Sequence, residues 1–410
     1  MMTSFSSQGL LLLAGLCFLL PRTQTTYHKE LDNDPSIDPF QCRKVAFTIS
    51  NVSISLYKEM AQKSRNGNIL FSPIRVVAAI LMLSLGVKGN VSQHILEALR
   101  FNKTGLPEAE IHKCFQYLLR AVNQPTGMSP LKSGGSMFIH QGLKLVDKSV
   151  KRIKDIYFSE VISTNFSDSS SAKRQINNYM MKKTNKEILN MVKELKKDTF
   201  LALMNYIIWN GRIVSDFECQ FIQMEDFHLE YRKTIKVAMV TNVDMYHLFR
   251  VEELSSMVLV YGYTLVTYII IPDKGKMHQV EERLTYPHFR QMIQRLNLRI
   301  VKVHTPVLSV SETSDVVSMM SLLGITPFFN KEANCTVAAE DTPQKSFKVI
   351  SKAVLTLENM GTRPPMDLCL KNELWANAPL VQINRPFLIF IQDSTNYAPL
   401  FLGRVANPRK

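Results

Sequence analysis

The stretch Thr356–Phe387, TLENMGTRPPMDLCLKNELWANAPLVQINRPF, decides the fold. Two apolar, strand-like runs, Ala353–Leu357 and Phe387–Ile391, flank a long segment with no helical period. Within it stand a Gly-Thr pair, two adjacent prolines, and Met366, Leu368 and Leu370 alternating with Asp367, Cys369 and Lys371. Period-two alternation is strand chemistry. A loop beyond about fifteen residues in a compact domain is usually functional or disordered. This one therefore reads as a strand-like segment held outside a sheet.

Outward from that segment, the chain is rich enough in apolar residues, at 46%, to bury a large core. Lys and Arg number 49 against 35 for Asp and Glu, a net charge of +14. Such an excess favours polyanion contact, or simply gives a solvated basic surface. Leu10–Leu20 is an apolar run bounded by Pro21 and Arg22, the length of a secretory signal core and too short to cross a bilayer. Cleavage is expected after Thr25, leaving residues 26–41 as a flexible acidic tail and a soluble, secreted protein. Cys42, Cys114, Cys219, Cys335 and Cys369 then remain. Their odd number leaves at least one unpaired within the chain, and no CxxC spacing points to zinc. Most read as small buried hydrophobes.

Helical spacing of apolar residues predicts helices over Phe47–Ala61, Val76–Leu85, Ile111–Val122, Lys144–Phe158 and Arg174–Leu195. Beyond Thr199, β-branched and aromatic runs between Gly, Asn, Asp and Pro turns predict strands at Leu201–Trp209, Lys233–Val240, Val258–Tyr263, Leu265–Ile271, Leu308–Val310, Ala353–Leu357, Phe387–Ile391 and Leu400–Val405. This order argues for an α+β fold. No GxSxG, HExxH, P-loop or GxGxxG motif occurs, so neither an enzyme, a metal site nor a cofactor is expected. Nor is nucleic acid or a membrane expected as a partner. His304, between apolar runs, reads as a satisfied structural histidine.

Several motifs converge on one family. Val381–Ile391, Asn68–Pro73, Gly142–Asp147, Asn205-Tyr206, Asp226–His228, Pro272–Lys276 and Phe401–Val405 resemble the serpins, and most of all the alpha-1-antitrypsin branch, in the manner of a divergent rodent paralogue. The resemblance implies a serpin fold of three β-sheets with about nine helices. It implies one domain, residues 42–410, with an exposed reactive-centre-type loop at 359–380, and a monomer.

In that family the loop is bait for a serine protease, and after cleavage it inserts as a new central strand. Ungapped alignment from Gly361-Thr362 to Asn384–Phe387 places the bait bond at Trp375-Ala376, suited to a chymotrypsin-like pocket. The hinge departs from the inhibitory pattern: Gly361 and Thr362 are followed by Arg363, Pro364 and Pro365 instead of small residues. Proline offers no N–H to a ladder and is avoided in central strands. Pro364, Met366, Leu368 and Leu370 nevertheless keep the apolar alternation of a half-buried strand. Of the shutter beneath the sheet, Ser72 and Asn205 are kept. Ser351 stands where the family has His, Arg75 where it has Ser, Ile213 where it has Trp and Asn359 where it has Glu. Weak or absent inhibition is expected, the alternative being a non-inhibitory carrier of a polyanion or small ligand.

Two kinds of surface site complete the reading. Sequons at Asn51, Asn90, Asn102, Asn165 and Asn334 are candidate glycan acceptors, Asn102 falling where the resembled branch carries one. Arg290, Arg295, Arg299 and Lys302, expected on one short helix and its exit, form a possible heparin-like polyanion site. Lys144, Lys148, Lys151, Arg152 and Lys154 form a second basic patch.

Overall fold

The computed structural model describes residues 37–85, 90–123, 131–142, 147–212, 220–230, 233–262, 264–294, 297–325, 346–358 and 377–409. The helices are α1 (Pro39–Lys63), α2 (Pro73–Ser84), α3 (Asn90–Ala98), α4 (Glu108–Asn123), α5 (Asp147–Tyr157), α6 (Ser169–Lys183), α7 (Met277–Arg283), α8 (Tyr286–Gln294) and α9 (Val316–Leu322). The strands are β1 (Ile69–Phe71), β2 (Leu131–His140), β3 (Ser159–Thr164), β4 (Thr199–Arg212), β5 (Gln220–His228), β6 (Thr234–Val251), β7 (Ser256–Tyr261), β8 (Leu265–Pro272), β9 (Leu298–Pro306), β10 (Leu308–Asp315), β11 (Ser346–Glu358), β12 (Leu380–Gln382), β13 (Phe387–Asp393) and β14 (Pro399–Val405). All eight predicted strands and all five predicted helices are present, most of them longer than expected.

Two helices differ most from expectation. α1 begins at Pro39, inside the expected tail, because proline fits the first turn of a helix, where no N–H is required. α6 starts at Ser169, where the Asp168 side chain accepts from Ser171 N at 2.9 Å, and it stops at Lys183 instead of continuing to Leu195. The segment after it doubles back, with Asn177 Nδ2 donating to Val192 O at 2.9 Å and Val192 N donating to Asn177 Oδ1 at 2.8 Å. Ile188, Met191 and Val192 thereby join Ile176, Met180, Phe138 and Met204 in one cluster.

Strand pairing defines two hydrogen-bonded sheets. The first runs β10-β11-β4-β2-β3. The second runs β1-β14-β13-β8-β7-β6-β9-β12, with β5 also on β6. Two of the three expected sheets are joined here because β6 is long enough to serve both. Its first part pairs with β5 and β9 and its end with β7. Apart from Arg75 and Ser84, α2 is apolar, and every one of its residues is buried, as required of a helix packed against strands of both sheets.

Cys42 on α1 is bonded to Cys114 on α4, 72 residues on. The expectation that these were plain buried hydrophobes is corrected for this pair. Closing a loop of that length in the unfolded chain is worth about 4 kcal/mol on the chain-entropy account. Within residues 39–410 the chain forms one compact unit, and no helix among the described residues is long and apolar enough to cross a membrane.

Candidate functional site

The segment 359–376 lies outside the described residues, and with it Trp375, Ala376, Gly361, Thr362, Arg363, Pro364, Pro365 and Asn359. Its two attachments are described, and they lie in different sheets. On one side β11 pairs in parallel with β4 through Glu358 opposite Arg212. On the other, β12 pairs in parallel with β9, Leu380 opposite Lys302 and Gln382 opposite His304. Lys302 N donates to Pro379 O at 2.9 Å, Ile383 N to His304 O at 2.8 Å and His228 N to Asn384 O at 2.8 Å. The downstream end is thus stitched to β9 and β5, and the upstream end continues β11.

β11 and β4 form a seam that is in unbroken register from Phe347 opposite Leu201 onward, with β10 on one flank and β2 on the other. A strand added next to β11 would have to part it from β4 or from β10. At its middle, Ser351 lies directly opposite Asn205, and Asn205 lies opposite Gly135 on β2. A Cβ at Gly135 would come within 2.2 Å of Asn205 Oδ1 and 2.7 Å of Ser159 Oγ, so only glycine leaves room for the amide. Ser72, at the start of α2, lies in the same buried layer, since α2 packs against β4 and β11.

Asn205 and Ser351 thus meet across the seam, and both are buried, as is Ser72. Among the described residues no hydrogen bond joins the three, and Ser72 Oγ, both amide atoms of Asn205 and Ser351 Oγ have no partner. Each unmet buried polar group costs about 1–3 kcal/mol. Arg75, one turn into α2, is also buried. Its Nη2 donates to Asn123 Oδ1 at 3.2 Å and to Ser133 Oγ, while Nε and Nη1 are unmet. Burial pulls its pKa down to about 10. Gly135, Asn123 and Ser133 carried no signal in the sequence, because their importance lies in what stands across a strand or helix end.

The motif residues at the other side of the molecule are fully engaged. Asn68 Oδ1 accepts from Ala406 N and Asn407 N, both at 2.8 Å, and its Nδ2 donates to Asn407 O at 2.8 Å. Arg404 Nη1 meets Glu281 Oε1 at 2.7 Å, which also accepts from Tyr57 Oη at 2.6 Å. Burial first, and Glu281 second, push the Tyr57 pKa well up.

The predicted surface sites fare unevenly. Arg290 is exposed on α8, but Arg299 and Lys302 lie on β9, with Arg295 outside the described residues. The exit from the helix is thus a strand, on which Arg299 and Lys302 differ by an odd number of positions and point to opposite faces. Lys148, Lys151 and Lys154 are exposed on α5. Asn102 and Asn165 are exposed. Asn51 is half-buried in α1, its Oδ1 accepting from Arg100 Nη1 at 3.4 Å. Asn90 opens α3, and Asn334 and Ile213 lie outside the described residues. His304 is not satisfied at Nδ1, whose nearest carboxylate oxygen, on Glu225, is 3.8 Å away. Burial lowers its pKa.

A family profile described as serpin (serine protease inhibitor) matches residues 48–408. The chain belongs to the serpin family, and proteins of that family meet serine proteases as inhibitors and not as enzymes. Within the family it is similar over its whole length to alpha-1-antitrypsins. Alpha-1-antitrypsin 1-6 of Mus musculus is 59% identical over 412 residues, covering 100% of each chain. The alpha-1-antitrypsin-related protein of Homo sapiens is 38% identical over 417 residues, covering 98% of each. Among solved structures, human thyroxine-binding globulin overlays with a TM-score of 0.79 at 28% identity, covering 90% of this chain and 100% of the other.

Proposed function

We propose that this is a secreted serpin whose loop offers Trp375-Ala376 to chymotrypsin-like serine proteases and is cut without trapping them. The observation that supports this most is the register of the β4–β11 seam. A cleaved loop attached at Glu358 has to enter beside β11 and replace the parallel pairing with β4. Its first rungs would carry Pro364 and Pro365, which bring no N–H to either neighbour. Even about 3 kcal/mol added to that barrier slows insertion more than a hundredfold. Hydrolysis of the acyl-enzyme then wins.

The disulfide between Cys42 and Cys114 supports the secretory route, because such bonds persist in oxidising compartments. Asn102 and Asn165 are the sequons whose exposure suits a glycan. A polyanion site at Arg290, Arg295, Arg299 and Lys302 has less support, since strand alternation divides it.

Incubation with chymotrypsin tests the proposal. Clean cleavage between residues 375 and 376, with no adduct surviving SDS and heat, is the expected result. A covalent complex at that bond overturns it. Replacing Pro364 and Pro365 by Ala should restore a detectable complex if the prolines are the barrier.

A further inference from the structure

The polar groups beneath the seam form a set with one chemical bias. Ser72 is the N-cap of α2, and Arg75 is the third residue of that helix. Arg75 is 0% exposed. Among the described residues no carboxylate pairs with it, and its one described electrostatic neighbour is the Tyr206 hydroxyl. Nη2 is anchored by Asn123 and Ser133, which fixes the guanidinium plane and leaves Nε and Nη1 unmet. Ser133 Oγ itself donates onward to Asn123 Oδ1 at 3.1 Å, so neither anchor carries a negative charge. The other unmet groups of this layer are Ser72 Oγ, Ser351 Oγ and the Asn205 amide. N–H and O–H donors outnumber acceptors in this set.

A guanidinium at this depth remains charged at neutral pH, and a buried charge without a counter-charge is costly. Waters could satisfy the hydrogen bonds but not the charge. A close-packed interior leaves little room for a tetrahedral oxyanion.

We propose that a monovalent anion of chloride size binds beside Arg75, where the start of α2 meets Asn123 of α4 and Ser133 of β2, held by Nε and Nη1. The site is independent of whether the loop inhibits a protease. An anion bound there stabilises the folded chain by mass action.

Bromide soaked into crystals of the full chain locates the site directly, as an anomalous peak next to Arg75 Nε and Nη1. Thermal melts in sodium chloride against sodium gluconate, at equal ionic strength, measure its effect. Tenfold more chloride above half-saturation should raise Tm by about 2 °C. Arg75→Met should lose the chloride increment, and Arg174→Met, at an exposed helix position, should keep it. No bromide peak at Arg75, or the same chloride increment in Arg75→Met, overturns the proposal. Should Arg75→Met fail to fold, the bromide map of the unaltered protein decides alone.

Discussion

Two buried polar regions of this molecule are built in opposite ways. Around Glu281, α1, α7 and β14 are joined by partners at hydrogen-bond distance: Tyr57 and Arg404 both reach Glu281 Oε1, and Arg404 Nε also donates to Gly67 O at 3.1 Å. Beneath the β4–β11 seam, Ser72, Asn205, Ser351 and Arg75 are as deeply buried, yet much of their hydrogen-bonding capacity is unmet. The first region ties the C-terminal strand to the N-terminal half. The second lies where strands have to separate if a loop is to enter. The contrast teaches that burial of polar groups does not by itself report stabilisation; what matters is whether each donor and acceptor is met.

The sharpest way to break this contrast is Glu281→Ala. It strands Arg404 as a buried charge and should cost about 3–5 kcal/mol in urea unfolding. A loss below about 1 kcal/mol would remove the distinction between the two regions. Next comes Gly135→Ala, whose Cβ would clash with Asn205 Oδ1 at 2.2 Å. It should cost about 1–3 kcal/mol, because β2 and β4 are held in register and yield little. The same cost in a variant that also carries Asn205→Ala would show that the amide is not the obstacle.

Ser351→Ala should do the opposite. It deletes a buried hydroxyl that has no partner, so stability should stay level or rise by up to about 1 kcal/mol. A loss above that size would show that the hydroxyl is engaged. The smallest effect is electrostatic. The Lys183 ammonium and the Tyr179 hydroxyl beside Glu160 hold its carboxyl below its ordinary value of 4.5. The sign follows from that depression: the contribution is present above the unfolded pKa and is lost as pH falls through the folded one. Both members of the ion pair are about half exposed, so it amounts to about 0.2–1 kcal/mol. Glu160→Gln should flatten the acid limb of the stability curve by that much and leave it unchanged relative to neutral controls at higher salt.

Much of the architecture was legible in local pattern. The β-branched runs after Thr199 and the apolar spacing in α1, α2 and α4 set elements whose periodicity is intrinsic to a few consecutive residues. Strands such as β2, with Gly134 and Gly135, and β5, with Gln220, Gln223 and Asp226, escaped notice because they lack that apolar alternation. The lysine-rich run after Lys183 kept a helical look, yet Asn177 holds it in another course through contacts across the helix.

Of the expected shutter residues, Asn205 and Ser351 stand opposite each other on neighbouring strands, and that pairing was not visible in the sequence. Replacing the family's His by Ser351 says nothing about reach until Asn205 is seen opposite it. Likewise an odd cysteine count could not select Cys42 and Cys114, because pairing depends on which helices pack.

By itself, the sequence determined the α+β class, the family and two adjacent prolines, Pro364 and Pro365, shortly after a Gly-Thr pair. These follow from residue order, from side-chain period and from the missing N–H of proline. Only the tertiary structure decided that Asn205 faces Ser351, that Arg75 lies buried with no counter-charge among the described residues, and that Arg404 closes on Gly67 across 337 residues. Such pairings are set by packing between distant segments, where the energy of each polar group depends on a neighbour that chain order does not specify.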